Sequence, residues 1–95
     1  MSGGLRVDAI GGLCPVQADG TVDGVPFYFR SRGDRWQMAI GEKPVDVTLG
    51  WADGWLREAE YGTWPDAGYM PIEEAEEIII RCAAEYMKET QTNDA

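Results

Sequence analysis

From Leu5 to Trp51 the dominant spacing of apolar residues is two, the pattern of strands with one buried face. Leu5, Val7 and Ala9 interleave with Arg6, Asp8 and Ile10 until Gly11 and Gly12 end the run. A second run covers Val16 to Val22, with Gly20 marking a bulge or a close backbone approach. Asp23-Gly24 then predicts a hairpin turn, because both central positions of a type I′ turn need positive φ. Val25 to Arg32 follows, with Phe27 and Phe29 on one face and Tyr28, Arg30 and Arg32 on the other. Beyond the Gly33-Asp34 turn, Trp36, Met38 and Ile40 alternate with Gln37 and Ala39. After Gly41 to Pro44, the alternation of Val45, Val47 and Leu49 with Asp46 and Thr48 predicts another strand. Connections this short make an antiparallel meander, which buries one face.

The pattern changes at Ala52. Gly54, Gly62, Pro65 and Gly68 punctuate the chain to Met70, while Trp55, Tyr61, Trp64 and Tyr69 load it with rings. This reads as a long aromatic loop with room for one short strand over Trp55 to Glu60; loops of that length are usually functional or pinned by their own side chains. Pro71 then opens an amphipathic helix, since proline is well tolerated in a first turn. Glu73, Glu74, Glu76 and Glu77 sit near its positive end, and Ile72, Ala75, Ile79, Cys82 and Tyr86 recur at spacings of three and four, with Ile78, Ala83 and Met87 widening the stripe. The helix is expected to run to about Glu89, with a frayed polar tail from Thr90 to Ala95. The predicted fold is α+β, a single domain over 1–95 with a four- to five-stranded antiparallel sheet covered on one face by the C-terminal helix.

Seventeen acidic against eight basic residues give a net charge of −9, which argues against direct binding of nucleic acid or an anionic membrane. It favours solubility and fast encounter with a basic protein surface. No charged leader with an apolar run follows Met1 and no stretch has the length of a membrane span, so the cytoplasm is the expected location. Cys14 and Cys82 are far apart and fit no metal-ligand or redox spacing.

The chain contains no histidine, which removes the commonest general base and the commonest metal ligand. No phosphate-cradling glycine loop and no calcium-loop spacing occurs either, so no catalytic residue, cofactor or metal is assigned. Two candidate surfaces remain. The first is Glu73, Glu74, Glu76 and Glu77, whose helical spacing puts several carboxylates within ~6 Å of one another, as phosphates lie along a nucleic-acid strand. The same residues also read as a solvated helix start, with Glu77 and Glu85 each one turn from Arg81. The second is the aromatic loop, where Asp53, Trp55, Glu58, Glu60, Tyr61, Trp64 and Asp66 have the composition of a protein interface, or else close the open end of the core. Arg30, Arg32 and Arg35 form a cationic cluster expected to pair across strands with Asp46 or Asp8, and offer a secondary binding face.

Cys14-Pro-Val-Gln, Gly20 to Gly24, Pro26-Phe-Tyr-Phe-Arg and Gly33-Asp-Arg-Trp resemble stretches of small proteins from bacteriophages and mobile elements of proteobacteria. In size and charge the chain is similar to anti-CRISPR proteins. That resemblance implies a non-enzymatic inhibitor covering a nucleic-acid-binding surface of a host defence complex, and it assigns no site residues. The alternative is a small interaction module or homo-oligomeric accessory protein that binds through the aromatic loop.

Overall fold

A computed structural model describes residues 4–92. Five strands, β1 (Leu5–Gly11), β2 (Val16–Val22), β3 (Val25–Arg32), β4 (Arg35–Ile40) and β5 (Trp55–Glu60), form one antiparallel sheet in the order β1-β2-β3-β4-β5. A short helix α1 (Pro44–Thr48) links β4 to β5, a 3₁₀ turn covers Asp66–Tyr69, and helix α2 (Ile72–Thr92) closes the chain against the sheet. The fold is therefore an α+β meander with one helix-covered face.

The turns set the register. Asp23 and Gly24 have φ of 51° and 82°, the double positive φ of a type I′ turn, and Val22 pairs with Val25 across it. Phe27 faces Ile40 and Phe29 faces Met38, so the inward positions of β3 and β4 meet directly. Val16, Ala18 and Val22 from β2 join them, and Ala75, Ile78, Ile79, Cys82 and Ala83 of α2 cover this layer. Phe29 stacks on Trp36 with ring centroids 6.1 Å apart. The apolar stripe of α2 is the one its spacing predicts, and burying it against the sheet contributes hydrophobic stabilisation.

The bulge falls in β1, between Val7 and Ala9, and not at Gly20. Gly20 is instead a close approach: a Cβ there would lie 2.8 Å from the Phe27 ring. Because Asp8 is the extra residue, alternation restarts after it, so Ile10 turns toward the core and Ala9 outward.

Val45 to Leu49 is not a strand. Pro44 starts a single helical turn with Asp46 near its positive end, and Gly50, at φ 79°, follows the end of that turn. At 100° per residue, positions two apart point to opposite sides of a helix. Val47 is accordingly buried, whereas Val45 and Leu49 lie together in solvent. Five residues with one buried position satisfy either period, and the strand expected here is supplied by β5, paired from Ile40–Trp55 to Arg35–Glu60. The long loop of the sequence thus contains a strand of six residues.

The C-terminal helix also outruns expectation, since Thr90 and the backbone through Thr92 are helical and not frayed. Its last turns are tied to β5: Trp55 Nε1 donates to Glu89 at 3.0 Å, and Arg57 pairs with both Glu85 and Glu89. The rest of the expected tail, 93–95, lies outside the described residues.

Candidate functional site

At one end of the sheet the segment from Tyr61 to Met70 folds across the β1–β2 loop and the β3–β4 turn. Four hydrogen bonds hold it: Tyr61 N donates to Asp34 O at 2.7 Å, Ala67 N to Gly33 O at 2.9 Å, Cys14 N to Gly68 O at 2.9 Å, and the buried Ser31 Oγ to Ala67 O at 2.7 Å. Ala67, Gly68 and Met70 are buried and close the end of the core. Gly68 admits Cys14, whose Sγ would lie 2.8 Å from a Cβ at that position. A hydrogen bond with Cys14 is the main cause holding the Tyr69 hydroxyl above its usual range.

This closure separates the aromatic-loop candidates. Trp55 packs edge-on against Tyr86 at 5.8 Å with the Arg57 guanidinium 4.4 Å over its ring, so it joins β5 to α2. Tyr61 is half-buried against the core, and a hydrogen bond with Glu74, then desolvation, raises its hydroxyl above the ordinary tyrosine range. Asp66 accepts from Thr63 N at 3.0 Å and folds the loop on itself. Glu58 accepts from Gln37 at 3.1 Å on the outer sheet face, Glu60 lies across from Arg35, and Asp53 is exposed near α1. Trp64 is 72% exposed and Tyr69 58% exposed. The seven candidates do not form one surface.

The acidic candidates also divide. Glu74 is half-buried beside Tyr61, while Glu73, Glu76 and Glu77 are exposed on the solvent side of α2. Ile80, one turn beyond Glu76 and Glu77, is 58% exposed among them. Among the described residues, no cation comes within salt-bridge distance of these three carboxylates, and Glu85 is bridged to Arg57 at 3.5 Å with no such bridge to Arg81.

The arginine cluster does not pair as expected. Asp8 is taken by Arg6 at 2.8 Å, and Asp46 lies on α1 at the other end of β4. Arg32 and Arg35 are direct cross-strand partners, and Arg30 lies two residues back on the same outward face. Like charges in opposed positions are unfavourable, yet among the described residues the only carboxylate within 4 Å of the three is Asp34, 3.6 Å from Arg35. Together with Asp34, Gln37 and Trp64 the three arginines line a shallow depression of ≈ 320 Å³. Trp64 is seated there by Gly33, where φ is 69° and a Cβ would come within 2.5 Å of the ring. The sequence placed the arginines on one face, but nothing local signals that Trp64 returns to them from thirty residues away.

Among the described residues, no group of three or more Cys, Asp or Glu side chains is arranged to hold a metal ion, and no helix is long and apolar enough to cross a membrane. No protein-family model matches the chain, and no curated protein or solved structure gives a significant match.

Proposed function

We propose that this is a non-enzymatic acidic binding protein that covers a basic, nucleic-acid-binding surface of a partner complex with the solvent face of α2, an inhibitory role of the anti-CRISPR kind. The observation that carries it is the exposed trio Glu73, Glu76 and Glu77 around exposed Ile80, with no cation within salt-bridge distance of the three among the described residues. Carboxylates at phosphate-like spacing supply steering and charge complementarity, and Ile80 supplies an apolar contact that water does not compete for. The half-buried Glu74 is a positioning residue at the loop and not part of this face. The lack of histidine in the chain supports binding over catalysis.

A second reading, an interaction module or homo-oligomer built on the aromatic loop, is favoured by Trp64 alone, an exposed ring on a loop held by buried hydrogen bonds.

Capture of proteins from a bacterial lysate on the immobilised chain separates the two. The acidic-face reading expects a basic partner that duplex nucleic acid displaces, that ~0.5 M salt elutes, and that the E73Q/E76Q/E77Q variant fails to hold. Glutamine keeps helix propensity, so this variant stays folded. Retention by the glutamine variant together with loss in Trp64→Ala would overturn the acidic reading in favour of the loop.

A further inference from the structure

We propose that the depression lined by Arg30, Arg32, Asp34, Arg35, Gln37 and Trp64 binds a free nucleoside phosphate, its phosphate on the guanidinium groups and its base on the exposed side of the Trp64 ring. A chain with 17 acidic and 8 basic residues has no shortage of carboxylates, yet Arg30 and Arg32 meet none within 4 Å among the described residues. Glu58, next in register beyond Gln37 from Arg30, is engaged by the Gln37 amide at 3.1 Å. Asp34 partners Arg35 at 3.6 Å and Glu60 is the cross-strand neighbour of Arg35, so Arg30 and Arg32 are the guanidinium groups of the cluster without a carboxylate within 4 Å among the described residues. Guanidinium forks match phosphate oxygens in geometry, and an incoming phosphate relieves the opposed Arg32–Arg35 pair.

Trp64 supplies the other half of the ligand. One edge of its ring rests on Gly33, and the loop that carries it is tied to the turn through Ala67 N and Gly33 O at 2.9 Å. A flat ring already held in place loses little freedom when a base stacks on it. The ≈ 320 Å³ of space is at the small end of ligand sites, which suits a mononucleotide. Size also argues against a strand: the net charge of −9 repels a long polyanion, whereas screening over ~10 Å leaves the local arginines to decide for a ligand of two or three charges.

The test is an amide chemical-shift titration of the full chain with ADP, pyrophosphate, adenosine, a 5′-phosphorylated single strand and a glutamate-rich peptide as separate probes. ADP is expected to give saturable shifts confined to Arg30–Gln37 and the Trp64 loop, with Kd in the ~0.1–1 mM range. R30Q/R32Q lowers affinity for ADP and pyrophosphate by about tenfold or more, each variant residue being exposed or half-exposed on the sheet. Trp64→Ala lowers ADP affinity about tenfold and leaves pyrophosphate unchanged. Trp51→Ala and E73Q/E76Q/E77Q leave both unchanged, so this result is independent of the α2 reading. No saturable shift up to ~10 mM ADP overturns the proposal, as does equal affinity for ADP and pyrophosphate, which would mean an unselective anion patch. Tighter binding of the strand or of the acidic peptide than of ADP also overturns it, in favour of a polymer end or a protein contact.

Discussion

Replacing Ser31 with alanine tests whether the Tyr61–Met70 loop is part of the folded core. Of the four hydrogen bonds that hold the loop, three are between backbone groups, and only the 2.7 Å bond from Ser31 Oγ to Ala67 O can be deleted by substitution. Ser31 is fully buried between Val16 and Trp36 in the sheet register. Its loss removes one net hydrogen bond and leaves the Ala67 carbonyl with only a long 3.3 Å bond from Met70 N. A buried acceptor left this poorly satisfied makes the cost about 2 kcal/mol, above the ~1 kcal/mol of an average hydrogen bond. At roughly 4–8 °C per kcal/mol for a domain of this size, the melting temperature falls by about 8–16 °C. Urea denaturation should show a lower midpoint with the same slope, and the Ala67 amide should exchange faster with solvent. Thr63→Ala, on the exposed side of the same loop, should cost clearly less. A Ser31→Ala midpoint indistinguishable from that of the parent would refute the pinned loop, and with it the fixed placement of Trp64.

Burial pushes the Cys82 thiol up to about 11, with the nearby Glu85 adding to the effect. The folded state therefore holds this proton longer than the unfolded chain, so the stabilisation is complete below pH ~9 and is lost as pH rises through ~11, by on the order of 1–2 kcal/mol after allowance for screening. Denaturation at pH 8 and pH 10.5 measures it, and Cys82→Ala should flatten the difference. In the folded protein at pH 8 a thiol reagent should modify exposed Cys14 and spare Cys82. Arg57→Gln removes the pairs with Glu85 and Glu89 and the contact over Trp55, and should cost about 1 kcal/mol with part of the loss suppressed by salt in the parent; no change in a denaturation midpoint would show that these contacts only decorate the surface.

Most of the fold was legible because strands and a long helix bury different periods, and here both are sustained over many residues. The β2–β4 hairpins followed from Asp23-Gly24, Gly33-Asp34 and the alternation between them, and the buried side of α2 followed from Ala75, Ile79 and Cys82. The alternation of Val45 to Leu49 fits a strand and a helical turn equally, because a single turn is too short for period to discriminate, and Pro44 is the informative residue. Of the candidate surfaces, exposure of Glu73, Glu76 and Glu77 was readable from the helix, but the inward turn of Glu74 depends on Tyr61, a tertiary contact. The division of the aromatic loop was hidden for the same reason. Trp55 and Trp64 look alike in sequence, and only their neighbours, Tyr86 and Glu89 for one and Gly33 for the other, make the first structural and the second available.

The alternation of β3 also bears on how such a protein changes over generations. Phe27, Phe29 and Ser31 are buried and answer to packing, while Tyr28, Arg30 and Arg32, one step along the same ribbon, are half-buried or exposed and face outward. A substitution at an outward position leaves the neighbouring inward contacts in place, so recognition can drift without passing through misfolded intermediates. A lineage under pressure to follow a changing partner or ligand can rewrite the open side of this sheet residue by residue. The side beneath α2 keeps it folded throughout.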